Sequence, residues 1–338
     1  MSTVVQGAAP AASRTLVASR LLIGGIFVAT LVVASILLFV HVRSTGIELD
    51  AVLSGVGFVS PREQAVTRPM ALAALSASGL AGAELPSAGV ATSETEPPAA
   101  VQLVAEGEGA RAGSISLDRI VVPAGTRVTL SRTDVPRQYR LSLRAERPAP
   151  ITVRADVHGA VQLRPANARP TALELAAPQS VVFTSSSNDL DLDITLLAGT
   201  AAPPMRQLGA ASLRLHEMEE DLVSDAPDAR PLSTIQSGSI YFGSLGGDAR
   251  ELRDGELIRF EDVRGTIQTL QLGADAISIR FQGDARGMRS GYGDAPRTLM
   301  PTLLDSLRAR EGVKLLWGTA LWLFGMVMAL RRWWGKPA

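Results

Sequence analysis

Cysteine is absent from the 338 residues. That excludes a disulfide framework, a thiolate-ligated zinc or iron–sulfur site, and thiol catalysis. Lysine is almost absent as well: Lys314 and Lys336 are the two lysines among 33 basic residues. Neither sits where a phosphate-binding G-x-x-x-x-G-K-[ST] loop or an S-x-x-K nucleophile would need it, and no G-x-S-x-G elbow occurs. Aromatic residues make up 4% of the chain, and no tryptophan lies between residues 43 and 313. Phe183, Phe242, Phe260 and Phe281 fall on apolar phases of their segments, which disfavours an exposed stacking platform for sugars or bases. A formal net charge of zero disfavours a nucleic-acid partner, because phosphate contacts need a net basic surface.

The zero conceals a segregation. All 33 acidic residues lie between Glu48 and Glu311, and residues 43–313 carry 27 basic groups against them, a balance of −6. Both ends are purely basic (Arg14 and Arg20; Lys314, Arg331, Arg332 and Lys336). Arginine in place of lysine, with abundant alanine, fits the base composition of a bacterial genome.

The basic ends flank two apolar runs. Residues 21–42 form 22 residues whose only ionisable side chain is His41. At 1.5 Å per residue they cover a hydrocarbon core, and the absence of water there dictates a helix. Val33-Ala34-Ser35 has the small residues of a signal-peptide cleavage site, but five apolar residues follow directly, so a retained anchor is expected. The second run, 313–330, is 18 residues long, and all four tryptophans (317, 322, 333 and 334) lie in or beside it. Such rings favour the membrane boundary. Arg14 and Arg20 before the first run predict a cytoplasmic N-terminal segment, 1–20. The tail 331–338 is placed on the same side, and 43–313 lies outside the cytoplasm at an inner membrane. Charges around the second run conflict with this orientation.

Between the anchors the pattern has period two. Leu190, Leu192, Ile194 and Leu196 alternate with Asp191, Asp193 and Thr195; Ile277, Ile279 and Phe281 alternate with Ser278, Arg280 and Gln282. This places one face of each strand in a core and the other in water. Similar runs recur at Val128/Leu130, Tyr139/Leu141/Leu143, Ile151/Val153, Val161/Leu163 and Val181/Phe183. Turn signals at Pro123-Ala-Gly125, His158-Gly159, Asp254-Gly255 and Gly283-Asp284 divide them. The expected fold is mainly β, an antiparallel sandwich or jelly-roll-like extracytoplasmic domain flanked by an N-terminal and a C-terminal transmembrane helix. The expected order is a juxtamembrane segment 44–85, a linker 86–100, β modules at 101–200 and 205–297, and an amphipathic helix at 299–311. Ala71–Leu85 reads either as a weak helix or as two thin strands. In the short helix Met300, Leu303, Leu304 and Leu307 share a face, with Pro301 in its first turn.

Motifs for chemistry are incomplete. Gly107-Glu-Gly109-Ala-Arg-Ala-Gly113 misses the dinucleotide fingerprint by one position and reads as a hairpin turn. His216-Glu217-Met218-Glu219-Glu220 has Glu220 where a zincin needs its second histidine. Asp189, Asp191 and Asp193 open like a calcium loop, but Ile194 and Thr200 stand where glycine and glutamate are required. No catalytic residue, metal or cofactor is therefore expected. Two features remain. Residues 119–169 carry a net +7, with Arg132, Arg137, Arg140 and Arg144 as a candidate basic patch, and residues 174–228 carry −8. Either the two neutralise each other across paired strands, or they face lipid and a partner. Gly25/Ala29 and Gly325/Ala329 have the small-x-x-x-small spacing that lets membrane helices pack. The expected function is a non-enzymatic scaffold or accessory subunit of a membrane complex, contacting membrane lipid and either a membrane-protein partner or a second copy of itself. The alternative is a lipid- or amphiphile-binding extracytoplasmic module.

Overall fold

The computed structural model describes residues 32–309 except 34, 85–99, 108–111, 167–168, 186–187, 200–201, 218–230, 247–248 and 292–295. Gly25, Val28 and Ala29 precede these, and scattered positions between Gly318 and Arg332 follow. The expected segment 1–20, the tail 331–338 apart from Arg332, the linker apart from Ala100 (which begins a strand) and most of the second apolar run thus lie outside the described residues. The chain divides into two compact units, one of Met1–Val42, Ser244–Gly246 and Met300–Ala338, the other of Arg43–Gly243 and Gly247–Leu299.

The second unit is mainly β, and every strand pair in it is antiparallel. In spatial order its six-stranded sheet runs Met205–Ala210, Arg264–Leu272, Ile277–Ala285, Thr45–Leu53, Ile235–Phe242 and Ala249–Leu252. Thr45–Leu53 alternates as its sequence requires. Ile47, Leu49, Ala51 and Leu53 are buried, while Glu48 is exposed and Asp50 half-buried on the other face. On that polar face Asp50 opposes Arg280, with Oδ2 2.7 Å from the guanidinium. Residues 44–85, read above as a piece preceding two modules, supply strands to both large sheets.

Twelve strands make the larger sheet. Its path is Ser212–Arg214, Gly55–Val59, Thr126–Arg132, Gln138–Ala145, Asp189–Leu196, Met70–Ser78, Ala100–Ala105, Thr152–Pro165, Thr171–Ser185 and Leu80–Glu84. Gln64–Val66 and Ser114–Val122 complete it, and they share rows with other strands. Met70–Ser78 pairs with Ser114–Val122 at one end and with Ala100–Ala105 at the other, as does Thr152–Pro165. Both partners run antiparallel to the same two strands, so they are parallel to each other in one row.

The Gly107–Gly113 stretch is therefore not a hairpin turn. It leaves the row and rejoins it where the Gly113 amide donates to the Glu106 carbonyl at 2.7 Å. Glycine is required at this closure, since a Cβ on Gly113 would lie 1.8 Å from the Ala160 oxygen. Gly159, opposite, has φ of +74°. His158-Gly159 is accordingly an irregularity inside one 14-residue strand rather than a turn between two. Gly283-Asp284 likewise continues Ile277–Ala285. Gly283 opposes Gly265, and the Phe281 ring tip lies 2.7 Å from where either Cβ would stand. The ring covers the backbone where two side chains are missing. Ala71–Leu85 resolves into two strands, bent apart at Gly79 (φ +80°).

Tyr139 joins the sheets. It is fully buried, and its hydroxyl lies 3.0 Å from the Gly273 carbonyl and 3.1 Å from the Ala276 carbonyl, in the turn joining two strands of the smaller sheet. Burial raises its pKa above the ordinary tyrosine value. Gln64 makes a second link: its amide nitrogen donates to the Gly209 carbonyl at 3.0 Å, and its oxygen accepts from the Gly209 amide at 2.8 Å. A side-chain amide thus takes the place of a strand neighbour. Phe183, Phe242 and Phe281 are core residues, and Phe260 is half-buried. Replacing Gly265 by valine should destabilise the protein by about 1–3 kcal/mol, since the new side chain would meet the Gln282 carbonyl and the Gly283 backbone as well as the Phe281 ring. Urea unfolding checks this, and an unchanged midpoint would show that the two strands are not closely apposed at this glycine pair.

In the first unit the helix Leu303–Ala309 is capped by Thr302. The Thr302 hydroxyl accepts from the Asp305 amide at 3.2 Å, and the Asp305 carboxylate accepts from the Thr302 amide at 3.1 Å, a reciprocal capping box. Among the described residues no helix is long and apolar enough to cross a membrane. Val28, Ala29, Val32, Val33 and Ser35–Phe39 are helical, as are Leu321, Trp322 and Phe324–Met326.

Candidate functional site

The two charged segments meet across one strand pair. Gln138–Ala145 lies beside Asp189–Leu196 in the register Arg144↔Asp189, Ser142↔Asp191 and Arg140↔Asp193. Period two sets both ladders on the same face. Arg140 Nε reaches Asp193 at 2.9 Å, and Arg144 reaches Asp191 at 2.8 Å and Asp189 at 3.7 Å. The Ser142 hydroxyl donates to Asp191 at 2.6 Å. Burial pushes the Asp191 carboxyl up, but hydrogen bonds from Arg144 and Ser142 and the charges of both arginines outweigh it and hold it below its ordinary value. Acid pairing across the sheet raises Arg140 in turn.

The other two arginines of the candidate patch do different work. Arg132 donates to the Asp275 carbonyl at 2.8 Å. The Arg137 backbone amide donates to the Ala274 carbonyl at 3.0 Å, from a residue with φ of +63°. Both grip the turn that Tyr139 also holds. The four arginines therefore do not converge: two neutralise the aspartate ladder and two fasten one sheet to the other. Sequence spacing could not distinguish these roles, because the partners lie 45 residues away or more, as for Arg144 and Asp189.

His216 lies in a two-residue strand opposite Ser233, and Glu220 lies outside the described residues. Its Nδ1 is buried with no hydrogen-bond partner among the described residues. Burial pushes its pKa down, and the positive charges of Arg214 and Arg259 add to this, against a hydrogen bond to the Ile258 backbone. No group of three metal-ligating side chains gathers among the described residues.

The four small residues named above sit on the apolar runs. Gly25, Ala29 and Gly325 are helical and exposed, and Ala329 lies outside the described residues. At the outer end of the first run the first unit contains a contact that the sequence did not announce. The Val42 amide donates to the Pro301 carbonyl at 3.0 Å and the Leu303 amide donates to the Val40 carbonyl at 2.9 Å. His41 and Thr302 between them form an antiparallel bridge.

A further feature is an apolar cavity of about 50 Å³ in the second unit, walled by both large sheets. Its origin lies in two adjacent faults. Pro69, which has no N–H, interrupts the row between Gln64–Val66 and Met70–Ser78. Opposite, Asp118 and Arg119 form a bulge where Arg154 pairs with Arg119 but Ala155 pairs with Leu117. The lining is almost wholly apolar and includes Leu117, Ile120, Leu130 and Leu270, with Gln64, Arg68, Asp118 and Arg119 also bordering it. A void of this size costs on the order of 1 kcal/mol if left empty.

Comparison with known proteins adds no relative: the chain matches no family model, no curated protein and no solved structure.

Two pH effects follow. The folded Asp191 binds its proton less readily than the unfolded chain, so its contribution is full above its ordinary value of 3.8 and is lost as pH falls through the folded value. Arg144→Gln should flatten that acid limb in urea unfolding. His216, also lowered, holds its contribution above 6.5 and loses it as pH falls below that value. His216→Asn should therefore remove slope from the stability curve just below that pH, and an unaltered curve would refute a neutral buried imidazole.

Proposed function

We propose that this chain is a non-enzymatic, doubly membrane-anchored envelope protein that serves as a scaffold or accessory subunit of a membrane complex. In this reading residues 21–42 and 313–330 are the anchors, both ends of the chain lie in the cytoplasm, and the β unit stands outside. The pairing of Val40–Val42 with Pro301–Leu303 carries the proposal. It holds the outer end of the first apolar run beside the start of the short helix that precedes the second run in sequence, and two single crossings leave both ends of the chain on one side. The described side chains on these runs support a lipid setting: Phe39 is 77% exposed, Leu321 66% and Trp322 65%. In water such clustered apolar exposure is unfavourable, whereas hydrocarbon tails are as apolar as the side chains. Two stapled anchors restrict tilt and distance from the bilayer, which suits a stationary scaffold. A membrane-protein partner or a second copy would pack against the anchors, with Gly25 and Gly325 allowing close approach.

A mild-detergent pull-down of the tagged full chain, beside a version with both spans replaced by leucine-rich helices, tests the proposal. Stoichiometric recovery of a membrane protein, lost in the replaced version, is the expected result. Retention in both versions would move the contact to the β unit. A solitary protein from both, or termini labelled on opposite sides of the membrane, would overturn the scaffold reading. The amphiphile-binding alternative has one supporting observation, the apolar cavity between the two large sheets.

A further inference from the structure

The chain enters the β unit at Arg43, bonded directly to the last residue of the first apolar run, and leaves it at Leu299, bonded to Met300. Within the unit both junctions lie at one end of the smaller sheet. Thr45 stands opposite Ala285 and Gly46 opposite Asp284, which in turn stands opposite Arg264. Gly287–Ser290 follows at once, between Ile258–Glu261 and Arg297–Thr298. The Leu299 amide donates to the Met288 carbonyl at 2.9 Å. Strand pairing therefore gathers residues 43–46, 258–264, 284–290 and 296–299 around the two junctions.

These segments are basic. Arg43, Arg259, Arg264, Arg286, Arg289 and Arg297 stand against Glu261, Asp262 and Asp284, although residues 43–313 as a whole are acidic. Two of the acids are taken: Arg286 lies 2.9 Å from Asp262 and Arg289 lies 3.0 Å from Glu261. Arg43, Arg259, Arg264 and Arg297 are exposed and form no ion pair among the described residues. Arg259 also stands directly opposite Arg289, a like-charge contact that an external anion would relieve. Arg43 is one residue, about 3.8 Å, past the first apolar run. That is well within the ~8 Å over which a charged bilayer surface acts at physiological salt. The forked donors of arginine match phosphate.

We propose that this end of the β unit docks on the bilayer surface and selects anionic phospholipids, whose phosphates are taken by Arg43, Arg259, Arg264 and Arg297. The inference deepens the membrane-anchored reading and rests on it, since it needs residues 21–42 to be an anchor. It does not depend on which face of the membrane the unit occupies. The candidate patch of Arg132, Arg137, Arg140 and Arg144 plays no part, because those groups are committed within the fold.

The test extracts the full-length protein in mild detergent from vesicles of equimolar phosphatidylglycerol and phosphatidylcholine, and counts the retained lipids by native mass spectrometry. Phosphatidylglycerol should be retained in excess, and the excess should shrink as salt is raised. One juxtamembrane cation is worth about fivefold. The basic ends of the chain retain some lipid too, so Arg43→Gln with Arg297→Gln should lower the excess at least about threefold. Arg206→Gln with Arg253→Gln, at exposed positions nearer the Leu53 end of the sheet, should leave it unchanged. All four side chains are exposed and outside the ion pairs, so both variants should keep wild-type thermal unfolding. Equal retention of the two lipids would overturn the inference and leave the anchors standing. An excess that survives the first change, or falls equally with the second, would place the selection elsewhere and overturn this surface. Retention of neither lipid would overturn the inference, and a chain that stays in water without detergent would overturn the anchored reading beneath it.

Discussion

The structure depends on one strand entering a sheet made by the other end of the chain. Thr45–Leu53 lies between Ile235–Phe242 and Ile277–Ala285, so that Asp50 meets Arg280 across 230 positions of sequence. Closing a loop of that order costs about 5 kcal/mol in chain entropy. Burial of Ile47, Leu49 and Leu53 returns about 1.5–3 kcal/mol for each side chain, which offsets the closure before any hydrogen bond is counted. The consequence is topological. Without this strand the smaller sheet is split in its middle. A fold with such remote pairing is expected to form slowly.

The sheets are then held together by few polar contacts, all of which cross long sequence distances. Tyr139, Arg132 and Arg137 grip a single turn of the smaller sheet, and Gln64 bonds both ways to Gly209. The bonds at Gly209 and the Tyr139 hydroxyl satisfy groups that would otherwise be buried unpaired, a loss of about 1–3 kcal/mol each, whereas the turn carbonyls at 273–275 belong to exposed residues. Exposed ion pairs such as Asp50–Arg280 add little by comparison, since solvent screens them. The charge ladder of Arg140 and Arg144 against the three aspartates sets register more than it adds stability, because a one-residue slip would turn every carboxylate to the opposite face.

Much of this was legible locally. Period-two runs predicted the strands at 126–132, 138–145, 189–196 and 277–285, since alternation is imposed by the pleat itself and needs no partner. The short helix was legible from its 3.6-residue period, but it runs Leu303–Ala309 and not 299–311, so Pro301 precedes the Thr302 cap and Met300 lies outside the helix. Glycine was the main source of misreading. His158-Gly159 and Gly283-Asp284 carry the chemistry of turns but sit inside strands, because a glycine is equally suited to a bulge or to close backbone approach. Gly113 closes an excursion for the same reason. Which role a glycine takes is set by the atom opposite it, and that atom belongs to a distant segment.

The arginine patch shows the same division. Charge counts over 119–169 and 174–228 established that opposite signs were present in neighbouring stretches, but not that Arg140 and Arg144 face aspartates while Arg132 and Arg137 hold a turn. By itself the sequence determined the β class, the alternating faces, the absence of thiol chemistry and the two apolar runs, all of which follow from composition and period within one segment. Only the tertiary structure decided that residues 45–53 complete the C-terminal sheet, that the end of the first apolar run pairs with residues 301–303, and that an apolar cavity lies between the two large sheets. Each of these is a meeting of segments far apart in the chain, and meeting depends on register and sheet order, which no local pattern encodes.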